Sequence, residues 1–184
     1  MTRLFIALDL PDQVKELLAP LPAGLPMARW VSSDQLHLTL RFIGEVDDDT
    51  FAAIALALKQ VTFSAFPLTL RSIGHFPPGR HPRVVWVGMA RCEPLLSLQR
   101  FIEAVLIGTG IPPEDRPFSP HITLARLKDA PPNAVERFEK EHLELVCPTF
   151  QVDRFVLYSS TLSRNGALHT QEAVYTASDQ QRGS

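Results

Sequence analysis

His37-Leu38-Thr39-Leu40 returns 84 residues later as His121-Ile122-Thr123-Leu124, and this repeat decides how the chain is read. In extended backbone the side chains at i and i+2 share a face. Each copy therefore sets an imidazole beside a hydroxyl and turns its two aliphatic residues toward a core. A lone His on a strand is commonly structural, and Thr is favoured in any strand. The same polar pair in the same register twice supplies two imidazoles, the number needed to give and take protons at one reacting centre.

Outward from the repeat, each motif strand sits inside a similar run of elements. Arg3 to Leu10 reads as a buried strand ended by Pro11, and Asp12 to Leu21 has helical spacing at Val14, Leu17, Leu18 and Leu21. A Pro/Gly-rich loop, Pro20 to Pro26, precedes the first motif strand, Leu36 to Ile43. Asp47-Asp48-Asp49-Thr50 caps a helix over Phe51–Val61. Strands follow at Phe66–Ile73 and Arg83–Met89, with a Pro-rich loop holding His75 and His81 between them. The second half repeats the order: a helix over Glu93–Ile107, the motif strand His121–Leu127, a helix over Pro131–His142, then strands near Leu143–Val146, Val152–Ser160 and Leu168–Thr176. Asn165-Gly166 turns the last hairpin. The pattern is a degenerate duplication of an α+β unit. A single domain over residues 1–177 is expected, with 178–184 as a disordered tail.

The chain has 184 residues, 45% of them hydrophobic, and a formal net charge of −2. That balance excludes a long non-specific nucleic-acid footprint, which needs many cations. The cations are skewed, with fourteen Arg against four Lys; Arg is the better bidentate partner for phosphate. Cys92 and Cys147 are isolated and read as core residues rather than as a disulfide framework or zinc site. No apolar run approaches the ~20 residues of a membrane span, and the N-terminus does not read as a signal peptide. A cytoplasmic location and no membrane partner are expected.

The paired motifs suit in-line displacement at phosphorus. One neutral imidazole takes a proton from entering water and the other, protonated, gives one to the leaving oxygen. Unperturbed imidazoles titrate near ~6.5, so a pH profile centred near neutrality is expected. Thr39 and Thr123 can donate to the non-bridging phosphoryl oxygens. Strict alternation puts Arg41 on the face of His37 and Thr39, as a phosphate ligand, and Arg126 on the opposite face of its strand unless the strand twists or ends; Arg126 is the weaker candidate. His142 ends a helix, and His169 has no partner in sequence.

These residues resemble the 2H phosphoesterase superfamily, which is defined by two HxTx or HxSx motifs, and within it the bacterial and archaeal RNA 2′,3′-cyclic phosphodiesterases, historically called 2′-5′ RNA ligases. The likeness runs from Arg3-Leu4-Phe5-Ile6-Ala7-Leu8 through Trp30-Val31, His37 to Glu45, Gly74-His75-Phe76, Arg83 to Gly88 and Pro120 to Arg126, and closes on Phe155 to Ser160. One departure is His169, where relatives more usually carry an aromatic; it is expected to touch the last strand rather than the site. The resemblance implies a bilobal α+β fold, two pseudo-symmetric antiparallel-sheet lobes with outer helices around a central cleft. It implies hydrolysis of a 2′,3′-cyclic phosphate on RNA 3′ ends or nucleotides to a 2′-phosphomonoester, with possible reverse 2′-5′ joining. No metal or cofactor and a monomer are expected. It also implies His37 as proton donor and His121 as proton acceptor, an order the two near-identical motifs do not themselves decide. The alternatives are a phosphodiesterase for a small cyclic phosphate, such as ADP-ribose 1″,2″-cyclic phosphate, and a non-catalytic module that binds RNA ends.

Overall fold

In the structure, a computed structural model that describes residues 1–21, 25, 27–164 and 166–178, the apolar run after Met1 forms β1 (Thr2–Asp9). Leu4, Ile6 and Leu8 point into the main core, while Phe5 and Ala7 lie on the opposite face. β1 is flanked by β3 (His37–Val46) and β9 (Arg154–Ser163), and β10 (Gly166–Thr176) completes a first sheet ordered β10-β9-β1-β3. The second sheet is ordered β2-β7-β6-β5, from Ala28–Trp30, Ile122–Leu127, Val84–Met89 and Leu70–Phe76. Every pairing in both sheets is antiparallel. β4 (Phe66–Leu68) and β8 (Phe150–Val152) make a separate ribbon.

The two sequence repeats exchange their trailing hairpins. β5 and β6 follow the first motif but pair beside β7, which carries the second; β9 and β10 follow the second motif but pair beside β1 and β3. Leu38 and Leu40 from β3 are buried in one cluster with Ile122 and Leu124 from β7, so the sheets share a core. Four α-helices form among the described residues: α1 (Asp12–Leu18), α2 (Asp48–Ala57), α3 (Glu93–Gly108) and α4 (Pro132–Glu141). Asp47 caps α2 by accepting from the Thr50 N–H at 2.8 Å. Leu95, Leu98, Gln99, Ile102 and Leu106 form the buried stripe of α3. In α4, Val135 and Phe138 point inward, and Phe138 meets Trp30 of β2 edge to face.

Both motif strands carry a one-residue bulge at the last residue of the motif. Ala7 pairs with Thr39 but Ile6 pairs with Arg41, which leaves Leu40 as the extra residue. Trp86 pairs with Thr123 but Val85 pairs with Ala125, which leaves Leu124 extra. An extra residue reverses the alternation beyond it. The expectation for the two arginines is therefore inverted. Arg41 follows Ile6 onto the core face and is only 9% exposed, whereas Phe42 takes the face of His37 and Thr39 and is 63% exposed. Arg126, paired with Val84 two residues from Trp86, takes the face of Thr123.

Arg41 is consumed by structure. Its Nε donates to Glu103 of α3 at 2.7 Å, Nη1 to Glu114 at 2.7 Å and to the Phe42 carbonyl at 2.9 Å, and Nη2 to the Pro112 carbonyl at 2.6 Å. Glu103 also accepts from the Glu114 N–H at 2.8 Å. The guanidinium thus ties the first motif strand to the loop that delivers the second.

Elsewhere the structure departs from the sequence reading in defined ways. Ala28–Trp30 is a strand, and the strand expected from Phe66 breaks into β4 and β5, with β5 running on through His75 to Phe76. His75 is not a solvated loop residue: it is half-buried, its Nδ1 2.5 Å from Glu139 of α4. Of the strand expected at Leu143–Val146 only a bridge between Val146 and Arg71 remains. Ser178, expected in the tail, donates its N–H to the Phe63 carbonyl at 2.9 Å. Positions 22–24 and 26 of the Pro/Gly-rich loop, Asn165 of the expected turn, and 179–184 of the tail lie outside the described residues.

Arg41→Met should lower the unfolding free energy by about 3 kcal/mol, because it leaves the part-buried Glu103 without its cation. Chemical denaturation measures this. Turnover of the folded fraction should fall far less than on loss of either motif histidine; equal losses would return Arg41 to the reacting phosphate.

Candidate active site

His37 opens β3 on the face turned away from the main core, and its surroundings come from three other strands. Phe5 of β1 stacks on it with ring centroids 5.0 Å apart, and Phe5 stacks in turn on Tyr158 of β9 at 5.1 Å. His169 of β10 meets His37 edge to face at 5.3 Å and Phe5 at 4.9 Å. His169 therefore belongs to the site, against the expectation that it touches only the last strand. Its register accounts for this: His169 pairs with Ser160 and Gln171 with Tyr158, so His169, Gln171 and Tyr158 share the face of Phe5.

A carboxylate stands beneath this group. Asp9 is the cross-strand partner of His37. It accepts from the Tyr158 hydroxyl and, at 3.2 Å, from the Gln171 amide, which also donates to the Tyr158 oxygen at 3.1 Å. Burial and the Asp9 carboxylate push the Tyr158 phenol up to about 12, so it remains a donor. Neither Asp9, Tyr158 nor Gln171 is visible as a site residue in sequence, because none lies near a motif; only the pairing register brings them under His37.

The aromatic surround lowers the pKa of His37 to about 4, through burial first and then through the neighbouring His169; the Gln35 carbonyl and Asp9 oppose the shift, and Lys15 adds a small lowering. Burial also lowers His169, with Asp34 pulling the other way. His37 is thus held neutral near pH 7. Thr39 lies on the same face, paired with Ala7.

The second motif is built differently. His121 immediately precedes β7, and its Nδ1 lies 2.8 Å from the Ser119 carbonyl. A carbonyl can only accept, so Nδ1 is the donor in that contact and Nε2 is the nitrogen left to face the site. Phe76 meets the ring edge to face at 4.9 Å, and Trp86 lies behind at 6.5 Å. Trp86 is in turn pressed on Gly74, where an added Cβ would fall 2.4 Å from the indole; only glycine allows that approach. Thr123 is the cross-strand partner of Trp86, so His121, Thr123 and Arg126 share one face. The Thr39 and Thr123 hydroxyls make no hydrogen bond to the described residues. β3 and β7 come into contact where the sheets meet.

Among the described residues no three His, Cys, Asp or Glu side chains converge as a metal-ligand set. Cys147 is buried and Cys92 half-buried, both as free thiols. No helix of the described residues is long and apolar enough to cross a membrane.

Known proteins resemble this chain in both sequence and fold. The RNA 2′,3′-cyclic phosphodiesterase of Thermotoga maritima is 34% identical over 175 residues, 91% of either chain. The protein of the same name from Escherichia coli is 34% identical over 181 residues, covering 91% of this chain and 92% of its own. The crystal structure of E. coli LigT with 3′-AMP superposes with a TM-score of 0.79 at 29% identity, covering 97% of this chain and 99% of that one. The crystal structure of a Thermus thermophilus protein gives a TM-score of 0.76 at 28% identity over 95% of this chain and 97% of its own. The family model of the 2′-5′ RNA ligase superfamily matches residues 11–164, and the chain belongs to that superfamily.

Proposed function

We propose that this protein is a phosphodiesterase that opens 2′,3′-cyclic phosphates at RNA 3′ ends to 2′-phosphomonoesters, acting in the cytoplasm as a monomer without a metal. The observation that carries the reading is the twin bulged strand: two HxTL segments in the same distorted register, each turning an imidazole and a hydroxyl to the open face of its sheet. Family membership supports the same chemistry. The cyclic phosphate sits between the motifs. His121 Nε2 takes the proton of the entering water as its oxygen bonds to phosphorus, the bond to O3′ breaks, and His37 gives its proton to O3′. Thr39 and Thr123 donate to the non-bridging oxygens, where negative charge grows.

With a pKa near 4, His37 must take up a proton before it can act as donor. A phosphodiester anion arriving beside the imidazole favours its charged form, so the proton enters with the substrate. A cation held by so depressed an affinity is a strong acid toward the departing alkoxide. The environment also moves the expected pH profile away from neutrality on its acid side.

The acid limb of kcat/KM should lie near pH 4 rather than near 6.5, and it should move upward in His169→Phe, which keeps the burial and removes the neighbouring charge. Absence of a limb near pH 4, or a limb there that ignores this substitution, would overturn the account of His37. Linkage gives a second readout. The folded-state pKa lies below the unfolded value of 6.5, so the unfolded chain binds the proton first as pH falls. The contribution is fully present above 6.5 and is lost between 6.5 and about 4, and this loss should shrink in His37→Gln.

His37→Ala and His121→Ala should each lower kcat by roughly 10²–10⁴-fold, with the double variant falling short of the product. Thr39→Ala and Thr123→Ala should cost about 1.5–3 kcal/mol each in transition-state stabilisation. Phosphorus NMR of the product from adenosine 2′,3′-cyclic phosphate in EDTA is the direct test. A 2′-phosphate is expected; a 3′-phosphate, or activity that EDTA abolishes and Zn²⁺ or Mn²⁺ restores, would overturn the proposal.

A further inference from the structure

A buried imidazole that gives up a proton has first to hold one, and the groups around His37 pull in opposite directions. Phe5, Tyr158 and His169 close it in, and burial disfavours a cation. Among the described residues, the titratable groups facing it are Asp9 of β1, Tyr158 of β9, His169 of β10 and Lys15 of α1. His169 and Lys15 oppose a positive charge there, and Asp9 favours it. Asp9, two residues beyond Ala7, is half-buried and stands directly across from His37, with Leu8–Leu38 and Ala7–Thr39 in regular register beside the pair. Residues so placed have Cβ atoms about 4.5–5.5 Å apart. This carboxylate is built into place. Its Oδ1 accepts from the Tyr158 hydroxyl and its Oδ2 from the Gln171 amide at 3.2 Å, while Gln171 also donates to the Tyr158 oxygen at 3.1 Å. Among the described residues no cation pairs with it; Arg154, which senses Asp9 at longer range, is paired with Asp153. The second motif has no counterpart, because pairing with β6 ends at Ile122 and leaves His121 without a cross-strand partner.

We propose that Asp9 is the positioning residue of the donor half of the site: fixed by Tyr158 and Gln171, its carboxylate is the counter-charge that lets His37 take up a proton and carry it to O3′. The inference rests on the proposed phosphodiesterase reading and deepens it. Asp9 acts through His37 and does not touch the reacting atoms. As the bond from phosphorus to O3′ breaks, its electron pair stays on O3′ and the His37 proton follows. No proton passes to Asp9, whose two oxygens are already engaged as acceptors. A carboxylate beside an imidazole stabilises the imidazolium without itself being protonated. Tyr158 and Gln171 fix the direction of that charge, and the phenol, stacked on Phe5 at 5.1 Å, cannot swing away without breaking the aromatic surround. The network thus offsets, for one protonation state of one histidine, part of what burial takes away.

The test compares two substrates that differ in the leaving atom: adenosine 2′,3′-cyclic phosphate, and its analogue with sulfur in place of O3′, whose thiolate departs without a proton. Asp9→Asn keeps the shape of the side chain and removes its charge. On the oxygen substrate it should lower kcat roughly ten- to a thousandfold, the range over which a nearby opposite charge changes a proton affinity. The loss on the sulfur substrate should be far smaller, and KM should change little on either. The acid limb of kcat/KM should move to lower pH, opposite in direction to the shift in His169→Phe, because the group that favours the imidazolium is gone. Asp9→Glu restores the charge and should recover part of the loss. Tyr158→Phe keeps the carboxylate and the ring stack; its loss should be smaller and again confined to the oxygen substrate, which carries the test should Asp9→Asn fail to fold. Equal losses on the two substrates in either variant, or an acid limb that Asp9→Asn leaves in place, would overturn the inference. Failure of the wild-type protein to hydrolyse the oxygen substrate would overturn the phosphodiesterase reading itself.

Discussion

One extra residue at the end of each HxTL motif governs this molecule. A strand in strict register would send Arg41 into the open face beside His37 and turn Arg126 away from His121. With Leu40 and Leu124 inserted, the backbone bends and the faces exchange. The first strand then buries its arginine and presents Phe42; the second buries Ala125 and presents its arginine. Both motif leucines stay in the core, so the distortion is held from behind by apolar packing. The twin bulge is also the clearest mark of the duplication, because it recurs at the same motif position although the residues beyond it differ.

What the first bulge buries becomes the connection between halves. The Arg41 guanidinium reaches Glu103 of α3 and Glu114 and Pro112 of the following loop, which leads to His121. A charge this buried is tolerable only with its hydrogen bonds complete, so the loop is fixed relative to β3. The exchanged hairpins act in the same direction. β7 pairs with β2 and β6 of the first repeat, and β9 of the second pairs with β1, the partner of β3, so neither half can move without breaking a sheet.

The sequence made the strands and the two HxTL faces legible because short-range alternation is a local signal. It made the helices legible through spacing and caps, as at Asp47. It could not show the bulges, since nothing in Leu-Arg-Phe or Leu-Ala-Arg announces an insertion; that depends on which residues of β1 and β6 lie across. Arg41 and Arg126 accordingly lie on the faces opposite to those that strict alternation predicts. Asp9, Tyr158, Gln171 and His169 were missed as site residues for a related reason, being brought together by pairings across more than a hundred residues of chain. Ala28–Trp30 was missed as a strand because three residues carry too little periodicity to register.

Two near-identical motifs need not do identical work. His37 is closed in by Phe5, Tyr158 and His169, and its proton affinity is depressed by that burial and by a second imidazole. His121 leans on Phe76 and Trp86 with its Nδ1 on a backbone carbonyl. Differing environments separate the proton affinities of two like groups, and here the difference comes from the exchanged hairpins. β9 and β10 bring a tyrosine and a histidine to the first motif, and β5 and β6 bring a phenylalanine and a tryptophan to the second. The duplication supplied two equivalent histidines; the hairpin each received from the other repeat made them unequal.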